Sequence, residues 1–282
     1  MGYEVVVPAR NEEKVLKRTL LAIKRQSIPS EKIIVVNDGS TDLTSVIAQK
    51  FADLVINLPD RGYNALGTPE IPKVYNKGLE KISQKANYVL ICGADAVLPD
   101  NYFEVILHEM EKDPLLVVAS GKLENDLAYE GLPPRGTRVV RVDFWRQLNG
   151  LRYPESLGWE SWLIFKALQL GKRVKRIPNL IAIAQRPPSK TKLKSAWSLG
   201  RGMRLLGYDW KYSIARAGTY FLKNPKSGVR MIAGYYSTKN KNKLDVADWV
   251  GANQRKRFWK QVVLRLKYVF QGGRKPYYHF IG

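Results

Sequence analysis

Two similar stretches near the start of the sequence limit the folds that it can adopt. The first runs from Val5 to Glu13 and reads V-V-V-P-A-R-N-E-E, and the second runs from Ile34 to Asp42 and reads I-V-V-N-D-G-S-T-D. Each is a run rich in β-branched residues that stops at polar turn residues and gives way to a helical pattern. Strands that are buried on both faces end in this way at the carboxyl edge of a parallel sheet. We therefore predict an α/β fold.

The polar residues at the ends of these two strands indicate a binding site. Open α/β sheets bind ligands beside this edge, and Asn11, Glu12, Asn37 and Asp38 would all lie there. A buried parallel sheet alone does not need such residues, so we predict a nucleotide pocket. Glu12 has a simpler alternative, in which Asn11 caps the first helix and the helix dipole favours an acid in the first turn.

The rest of the first half continues the alternation of strands and helices. A third strand, Leu54–Leu58, is followed by a helix over Ile71–Gln84, a buried strand over Tyr88–Cys92 and a helix over Asn101–Lys112. This order predicts a mostly parallel, Rossmann-like sheet that is flanked by helices and has right-handed crossovers. The helix after the second strand is expected to bury one apolar face, made of Leu43, Val46, Ile47 and Phe51.

A third acidic turn follows the strand Tyr88–Cys92 and contains Asp95. If the strands are parallel, Asp95 shares a sheet edge with Asp38. A hard divalent cation can be held by one carboxylate together with the phosphates of a substrate, so this edge could hold such an ion. A lone aspartate in a turn is commonly a local hydrogen-bond former, so Asp95 alone does not establish a metal site.

Composition excludes several classes of protein. The single cysteine, Cys92, rules out an internal disulfide framework and a zinc site built from several cysteines. The start, M-G-Y-E, lacks the basic and apolar regions of a signal peptide, and no apolar run approaches the roughly 18 residues of a membrane span. We therefore expect a cytoplasmic protein, either free or peripherally bound to the inner membrane face.

The net charge of +22 is unevenly distributed along the chain. Residues 1–140 carry a net charge of −2, whereas residues 141–282 carry +24. This asymmetry suggests that the front half binds something small and that the rear half faces a polyanion or an anionic membrane.

Five sequence segments together resemble the family-two glycosyltransferases of the GT-A fold. They are P-A-R-N-E-E, N-D-G-S-T-D and A-D-A-V-L-P in the front half, followed by the segments at 139–151 and 158–174. The resemblance covers roughly residues 3–185. It implies an inverting transferase that uses a nucleotide-diphosphate sugar of the UDP or GDP type, with Mg²⁺ or Mn²⁺ as cofactor.

The resemblance also implies roles for particular residues. Six of them would contact the donor nucleotide: Pro8, Ala9, Glu12, Asp38, Lys73 and Asn76. Asp95 matches the last acid of the family's D-x-D motif and would hold the metal, and Glu160 matches the first acid of its E-D motif, on the acceptor side. For Lys73 a solvated lysine beside a helix cap is an equal alternative, and Glu160 could simply satisfy a helix dipole.

Two departures from the family pattern affect these assignments. Gly93 stands where the first acid of D-x-D is expected, so a metal would have fewer protein ligands. Ser161 stands where the second acid of the E-D pair is expected, which is the carboxylate often named as the base in relatives. Glu160 therefore becomes the candidate general base that removes the proton of the acceptor.

The sequence predicts a catalytic domain over residues 1–188 and a basic, mostly helical region over 189–282. Helices are predicted at Ser195–Leu206, Tyr212–Leu222 and Arg255–Phe270. The last has one apolar face, made of Phe258, Trp259, Val262, Val263, Leu266, Val269 and Phe270. Such a basic helix suits an anionic membrane surface, although packing on the catalytic domain explains the pattern equally well.

We therefore predict a glycosyltransferase whose acceptor is a glycan or a lipid-linked molecule and carries the reacting hydroxyl or phosphate. The basic rear half would also suit a nucleic-acid-binding protein. That alternative is disfavoured, because it leaves the three polar turns of the front half unused. A non-catalytic protein that binds a sugar nucleotide is a further alternative, raised by Gly93 and Ser161.

Overall fold

The computed structural model describes residues 2–124, 133–186, 193–239 and 242–270; at 193–194, 223 and 259–270 it describes the backbone alone. The chain forms two compact units. The first, which we call the sheet unit, comprises Met1–Asn64, Pro72–Tyr153 and Gly171–Pro187. The second, the helical unit, comprises Ala65–Ile71, Pro154–Leu170 and Pro188–Gly282. The domain boundary predicted at residue 188 stays a prediction.

The sheet unit contains an eight-stranded sheet in the order β3-β2-β1-β4-β7-β6-β8-β5. Its strands are β1 (Tyr3–Ala9), β2 (Lys32–Asp38), β3 (Leu54–Leu58), β4 (Tyr88–Ile91), β5 (Ala96–Val97), β6 (Leu116–Leu123), β7 (Arg138–Arg141) and β8 (Arg173–Ala184). Strands β1 to β4 pair in parallel. Strand β7 is antiparallel to both β4 and β6, so β6 runs in the same direction as β4. Strand β8 pairs in parallel with β6 and therefore shares this direction. The predicted α/β class with a mostly parallel sheet is confirmed.

Five helices accompany the sheet: α1 (Leu16–Lys24), α2 (Thr44–Phe51), α3 (Glu70–Leu79), α4 (Tyr102–Lys112) and α5 (Val142–Asn149). A large core cluster joins apolar strand residues to the inner faces of α1, α2 and α4. Helix α3 approaches the sheet closely because Gly78 has no side chain. A Cβ atom there would lie 2.5 Å from Val6 Cγ1 and 3.0 Å from Val36 Cγ2.

The helical unit contains α6 (Trp159–Gln169), α7 (Leu193–Leu205), α8 (Trp210–Lys223), α9 (Pro225–Ser237) and α10 (Ala247–Phe270). The helix α9 was not predicted, although Asn224 at its N-cap and Pro225 at its first position are typical of a helix start. Across the part of the chain that the structure describes, no helix has the length and the apolar character needed to cross a bilayer. From Trp259 onward, the side chains of the predicted membrane-facing surface of α10 lie outside the described residues.

Two local predictions in the front half are wrong in whole or in part. Asn11 does not cap α1, which begins at Leu16; instead Asn11 adopts a left-handed φ of 54°, and its side chain accepts a hydrogen bond from Thr41 N at 2.9 Å. Glu12 therefore precedes the helix and is not in its first turn.

The predicted apolar face of α2 is wrong in part: Leu43 and Val46 are 61% and 60% exposed, whereas Ile47 and Phe51 are half-buried and pack against the core. The buried residues of α2 are Thr44 and Ala48. Thr44 is buried, and its Oγ1 accepts a hydrogen bond from Glu12 N at 2.7 Å, whereas Leu43 and Val46 on either side of it face solvent.

Candidate functional site

The order of the strands produces a topological switch point at the carboxyl edge of the sheet. The chain passes from β1 to β2 and β3 on one side of the sheet, and then β4 pairs on the other side of β1. The loops that follow β1 and β4 therefore leave the sheet at a topological switch point, where open α/β sheets bind their ligands. Glu12 follows β1 and Asp95 follows β4, and Asp38 ends the neighbouring β2. The prediction that these acidic turns follow parallel strands of one sheet is confirmed.

Side-chain hydrogen bonds join the loops after β1 and β2 to each other. Asn11 N donates to Ser40 Oγ at 3.0 Å, and the Asn11 side chain accepts from Thr41 N. Glu12 N donates to Thr44 Oγ1. The two stretches Val5–Glu13 and Ile34–Asp42 thus form one ordered rim.

Asp38 is buried in this rim and is paired with an arginine. Its carboxylate is 4% exposed and accepts from both terminal nitrogens of Arg61: Arg61 Nη1 donates to Oδ2 at 2.7 Å, and Nη2 donates to Oδ1. Arg10 donates to the carbonyl oxygens of Asp38 and Gly39 and pairs with Asp60 at 2.6 Å. Two arginines that the sequence analysis did not select therefore fix the turn that contains Asp38.

Glu12 and Asp95 share a third arginine. Arg186 Nη2 lies 2.7 Å from Glu12 Oε1, and Arg186 Nε lies 3.2 Å from Asp95 Oδ2. Partial burial raises the pKa of Glu12 above its ordinary value, against the lowering effect of Arg186. Partial burial lowers the pKa of Arg186, but the charges of Glu12 and Asp95 outweigh this and raise it, so the guanidinium stays protonated.

Hydrogen bonds of the preceding residue hold Arg186 in this position. Gln185 N donates to the carbonyl oxygen of Asp95 at 2.9 Å, beside the short antiparallel pairing of β5 with β8. Gln185 Nε2 donates to Val15 O and to Thr19 Oγ1, both at 3.0 Å. The end of β8 is therefore tied both to the turn of Asp95 and to the start of α1.

The side chains at this edge fit a divalent cation poorly. Asp95 offers one carboxylate, and Gly93 supplies no second one. The guanidinium of Arg186 already lies against Asp95 and Glu12, where a cation would need to bind. Within the described ranges, no three His, Cys, Asp or Glu side chains form a group that could hold a metal ion.

Four other predicted nucleotide contacts occupy different environments. Pro8 is half-buried and Ala9 is buried at the end of β1, while Lys73 is exposed on α3. Asn76 is 1% exposed, and its amide is engaged by the backbone of Tyr153. Asn76 Nδ2 donates to Tyr153 O at 3.0 Å, and Tyr153 N donates to Asn76 Oδ1 at 2.8 Å. In this structure the Asn76 amide therefore links α3 to the backbone of Tyr153, which follows α5.

Glu160 belongs to the helical unit, whereas the predicted nucleotide and metal residues belong to the sheet unit. It is exposed in the first turn of α6, which follows Gly158 in a left-handed conformation with φ of 88°. The same helix is anchored further along, since Trp162 Nε1 and Lys166 Nζ each lie 2.6 Å from the carboxylate of Asp245.

Sequence reasoning missed Arg10, Arg61 and Arg186. Arg10 stands inside the quoted stretch P-A-R-N-E-E, but an arginine in a turn has no spacing that distinguishes it from a solvated one. Arg186 follows the last strand, immediately before Pro187-Pro188. A cation directly after a strand at a predicted ligand-binding edge was the signal available.

Residues 4–165 match the sequence profile of Glycosyl transferase family 2, and this match covers more than half of the chain. The chain belongs to this family. Curated relatives include 4,4'-diaponeurosporenoate glycosyltransferase of Staphylococcus aureus, which is 41% identical over 56 residues, or 20% of this chain and 15% of the relative. Poly-beta-1,6-N-acetyl-D-glucosamine synthase of Staphylococcus epidermidis is 30% identical over 129 residues, or 43% of this chain and 28% of the relative. The matches thus span less than a third of these relatives.

Solved structures of glycosyltransferases share the fold. Staphylococcus aureus TarS 1-349 in complex with UDP-GlcNAc has a TM-score of 0.57 at 19% identity and covers 73% of this chain and 65% of that chain. The mannosyltransferase PcManGT of Pyrobaculum calidifontis, in complex with GDP-Man and Mn²⁺, has a TM-score of 0.56 at 15% identity, with coverages of 92% and 81%. The predicted GT-A fold is confirmed.

Proposed function

We propose that this family-two protein transfers a sugar from a nucleotide-diphosphate donor of the UDP or GDP type to a hydroxyl or phosphate of an acceptor, with inversion at the anomeric carbon. The observation that supports this most is the cluster of charged side chains at the switch point of the sheet, where Glu12, Asp38 and Asp95 follow parallel strands. Membership of the family supports the reaction class, and the charged side chains at the sheet edge support a donor site there.

The chemistry assigns distinct tasks to the residues. Breaking the bond between the anomeric carbon and the diphosphate builds positive charge on the sugar and negative charge on the leaving oxygen. Asp38, Glu12 and the adjoining Pro8 and Ala9 would bind the nucleoside, since they line one edge. Glu160 would take the proton from the acceptor as it attacks.

The cofactor expected from the resemblance, Mg²⁺ or Mn²⁺ on Asp95, remains a prediction. The neighbour from Pyrobaculum calidifontis was solved with Mn²⁺. When bound, such a cation would neutralise the charge of the leaving diphosphate. Because Arg186 already pairs with Asp95, the proposal uses no step that depends on the metal.

We also propose a glycan or lipid-linked acceptor and a peripheral position on the inner face of an anionic membrane. This rests on what we call the α8–α9 corner, where Phe221, Leu222 and Val229 are 48%, 88% and 58% exposed. The corner is compact, because a Cβ atom on Gly228 of α9 would lie 2.6 Å from Phe221 Cβ.

The charge around the α8–α9 corner complements such a membrane. Residues 210–244 contain eight lysines and arginines and no acidic residue. Phe221, Leu222 and Val229 all suit the acyl-chain boundary of a membrane, whereas binding of nucleic-acid bases uses several aromatic stacking surfaces and the α8–α9 corner has one, Phe221. The combination favours a lipid surface over the nucleic-acid alternative.

Thermal unfolding with a panel of nucleoside diphosphates tests the donor assignment. A ligand at about 100 times its dissociation constant stabilises the folded state by about 2.7 kcal/mol. For a protein of this size we expect UDP or GDP to raise the melting temperature by about 5–10 °C. Asp38→Asn should abolish this shift, because it removes the carboxylate predicted to bind the base.

Asp113→Ala is the matched control. Asp113 also pairs with an arginine, Arg173 at 3.0 Å, but it precedes β6 at the opposite edge of the sheet. This variant should keep the full nucleotide shift. A protein whose melting temperature responds to no nucleoside diphosphate would contradict the proposed donor.

A further inference from the structure

We infer that Arg186 contacts the diphosphate of the donor and supplies the positive charge there, so that the chain binds nucleoside diphosphates without a divalent cation. The inference rests on the proposed function, and it identifies the group that handles the leaving phosphate. It starts from the place of Arg186 at the switch point, between the acid that follows β1 and the acid that follows β4.

The guanidinium is anchored and still has donors to offer. Of its nitrogens, Nε is engaged by Asp95 and Nη2 by Glu12. Nη1 has no hydrogen-bond partner among the residues that the structure describes, and the side chain is 52% exposed. Because a guanidinium presents its N–H groups in a rigid planar fork, the outward N–H groups can meet phosphate oxygens while the acids hold the other side.

The anchoring limits the freedom that binding would otherwise remove. The acids hold two nitrogens of the fork, and the hydrogen bonds of Gln185 fix the backbone immediately before it. An arginine held in this way loses little side-chain entropy when a phosphate arrives. A free surface arginine would have to be ordered first, which makes Arg186 better suited to the task than the many solvated cations of the chain.

The net charge at this edge of the sheet equals that of a site with two acids and a bound divalent ion. Compared with a site that has two acids and no arginine, Gly93 removes one negative charge and Arg186 adds one positive charge. The local charge therefore shifts by two units in the positive direction, which equals the charge of one Mg²⁺ ion. An aspartate at position 93 would restore the second acid beside Asp95, since its Cβ would lie 3.2 Å from Asp95 Oδ1.

The chemical step needs no proton from Arg186. The bond between the anomeric carbon and the β-phosphate oxygen breaks, its electron pair stays on that oxygen, and the acceptor oxygen forms the new bond on the opposite face. The guanidinium stabilises the charge that develops on the leaving oxygen and remains protonated throughout. The proton lost by the acceptor goes to the general base.

Binding of UDP and GDP, measured by isothermal titration calorimetry with EDTA and again with Mn²⁺, tests the inference. The unmodified protein should bind in EDTA with an affinity that Mn²⁺ changes less than about threefold. Arg186→Ala should weaken binding in EDTA by about tenfold or more, because a hydrogen-bonded charge is lost. Arg186→Lys should weaken it less, since the charge remains but the fork does not.

Arg173→Ala provides the matched control, because Arg173 lies at the start of β8, the strand that Arg186 follows, and pairs with Asp113. It should bind as the unmodified protein does. Melting temperatures of all variants without ligand show whether Arg186→Ala is folded; if it is not, Arg186→Lys carries the test.

A direct metal measurement adds an independent readout. Electron paramagnetic resonance of Mn²⁺ should detect no tight site in the unmodified protein, and a tighter one in Arg186→Ala, where Glu12 and Asp95 are released. Donor binding that requires Mn²⁺ and is unaffected by Arg186→Ala would overturn the inference and leave the proposed function intact. Absence of nucleotide binding under every condition would instead overturn the proposed function.

Discussion

Asn76 illustrates how a residue predicted to bind a ligand can also support the structure. Its side chain lies in the sheet unit at 1% exposure and exchanges two hydrogen bonds with the backbone of Tyr153. The family resemblance assigned this residue to the donor nucleotide, but a sequence pattern does not distinguish an amide that meets a ligand from an amide that meets a distant peptide group.

At this scale we predict that Asn76→Ala destabilises the protein by about 2 kcal/mol, because two buried backbone groups of Tyr153 lose their partner. Urea unfolding, followed by circular dichroism, measures the loss. Asn149→Ala, at an exposed position at the end of α5, should change stability by less than about 0.5 kcal/mol. Equal stability of the two variants would show that the amide does not support the fold.

Helices and strands were more predictable where their patterns are long and local. The strand Leu54–Leu58 has the predicted bounds, and the helix predicted at Asn101–Lys112 is α4, Tyr102–Lys112. Strand β8 runs without interruption from Arg173 to Ala184 despite Pro178. The inward face of α2 was misjudged in part, since Thr44 is buried there and accepts a hydrogen bond from Glu12, more than thirty residues away in sequence.

At the scale of elements we predict that Leu222→Asp weakens binding to anionic vesicles by about tenfold or more. Inserting an exposed leucine into acyl chains contributes about 1.5–3 kcal/mol to the free energy of membrane binding. An aspartate loses this contribution, and the anionic lipids repel its negative charge. Vesicle flotation with phosphatidylserine or phosphatidylglycerol measures the change.

Leu170→Asp is the matched control for this prediction. Leu170 is 51% exposed at the end of α6, outside the α8–α9 corner. Vesicle binding should be kept by this variant. If both variants bind vesicles as the unmodified protein does, the α8–α9 corner is not the membrane contact. If either variant binds oligonucleotides tightly and this binding is lost as the salt concentration rises, the basic region binds nucleic acid.

For the whole molecule, the predicted roles divide between the two compact units. Nucleotide contacts fall on residues of the sheet unit, while Glu160 belongs to the helical unit. This division follows from a sequence order that places residues 154–170 between two segments of the sheet unit.

We therefore predict that Glu160→Gln leaves nucleotide binding within about twofold and lowers the transfer rate by about 10²–10⁴-fold, the usual contribution of a general base. Calorimetry with UDP or GDP gives the first quantity, and release of nucleoside diphosphate in the presence of acceptor gives the second. Glu155→Gln, an exposed acid nearby in the same unit, is the control. If the Glu160→Gln variant is fully active, a group other than Glu160 is the general base.

The sequence was sufficient for the fold class and for the edge at which the acids lie, because both follow from buried strands that end in polar turns. It was insufficient for the charge pairs, because the residues that meet are far apart along the chain. Arg186 and Glu12 are separated by 174 positions, and Arg61 and Asp38 by 23. Pairing over such separations depends on strand order and register, which single-residue patterns do not encode.

The position of Arg186 also has a consequence for synthesis of the protein. Both acids of its cluster lie among the first hundred residues, whereas the arginine follows the last strand of the sheet. While the chain is emerging from the ribosome, Glu12 and Asp95 can meet before their cation exists. Arg186 joins the two acids only when β8 pairs with the sheet. The complete charge cluster therefore forms only after the last strand is in place.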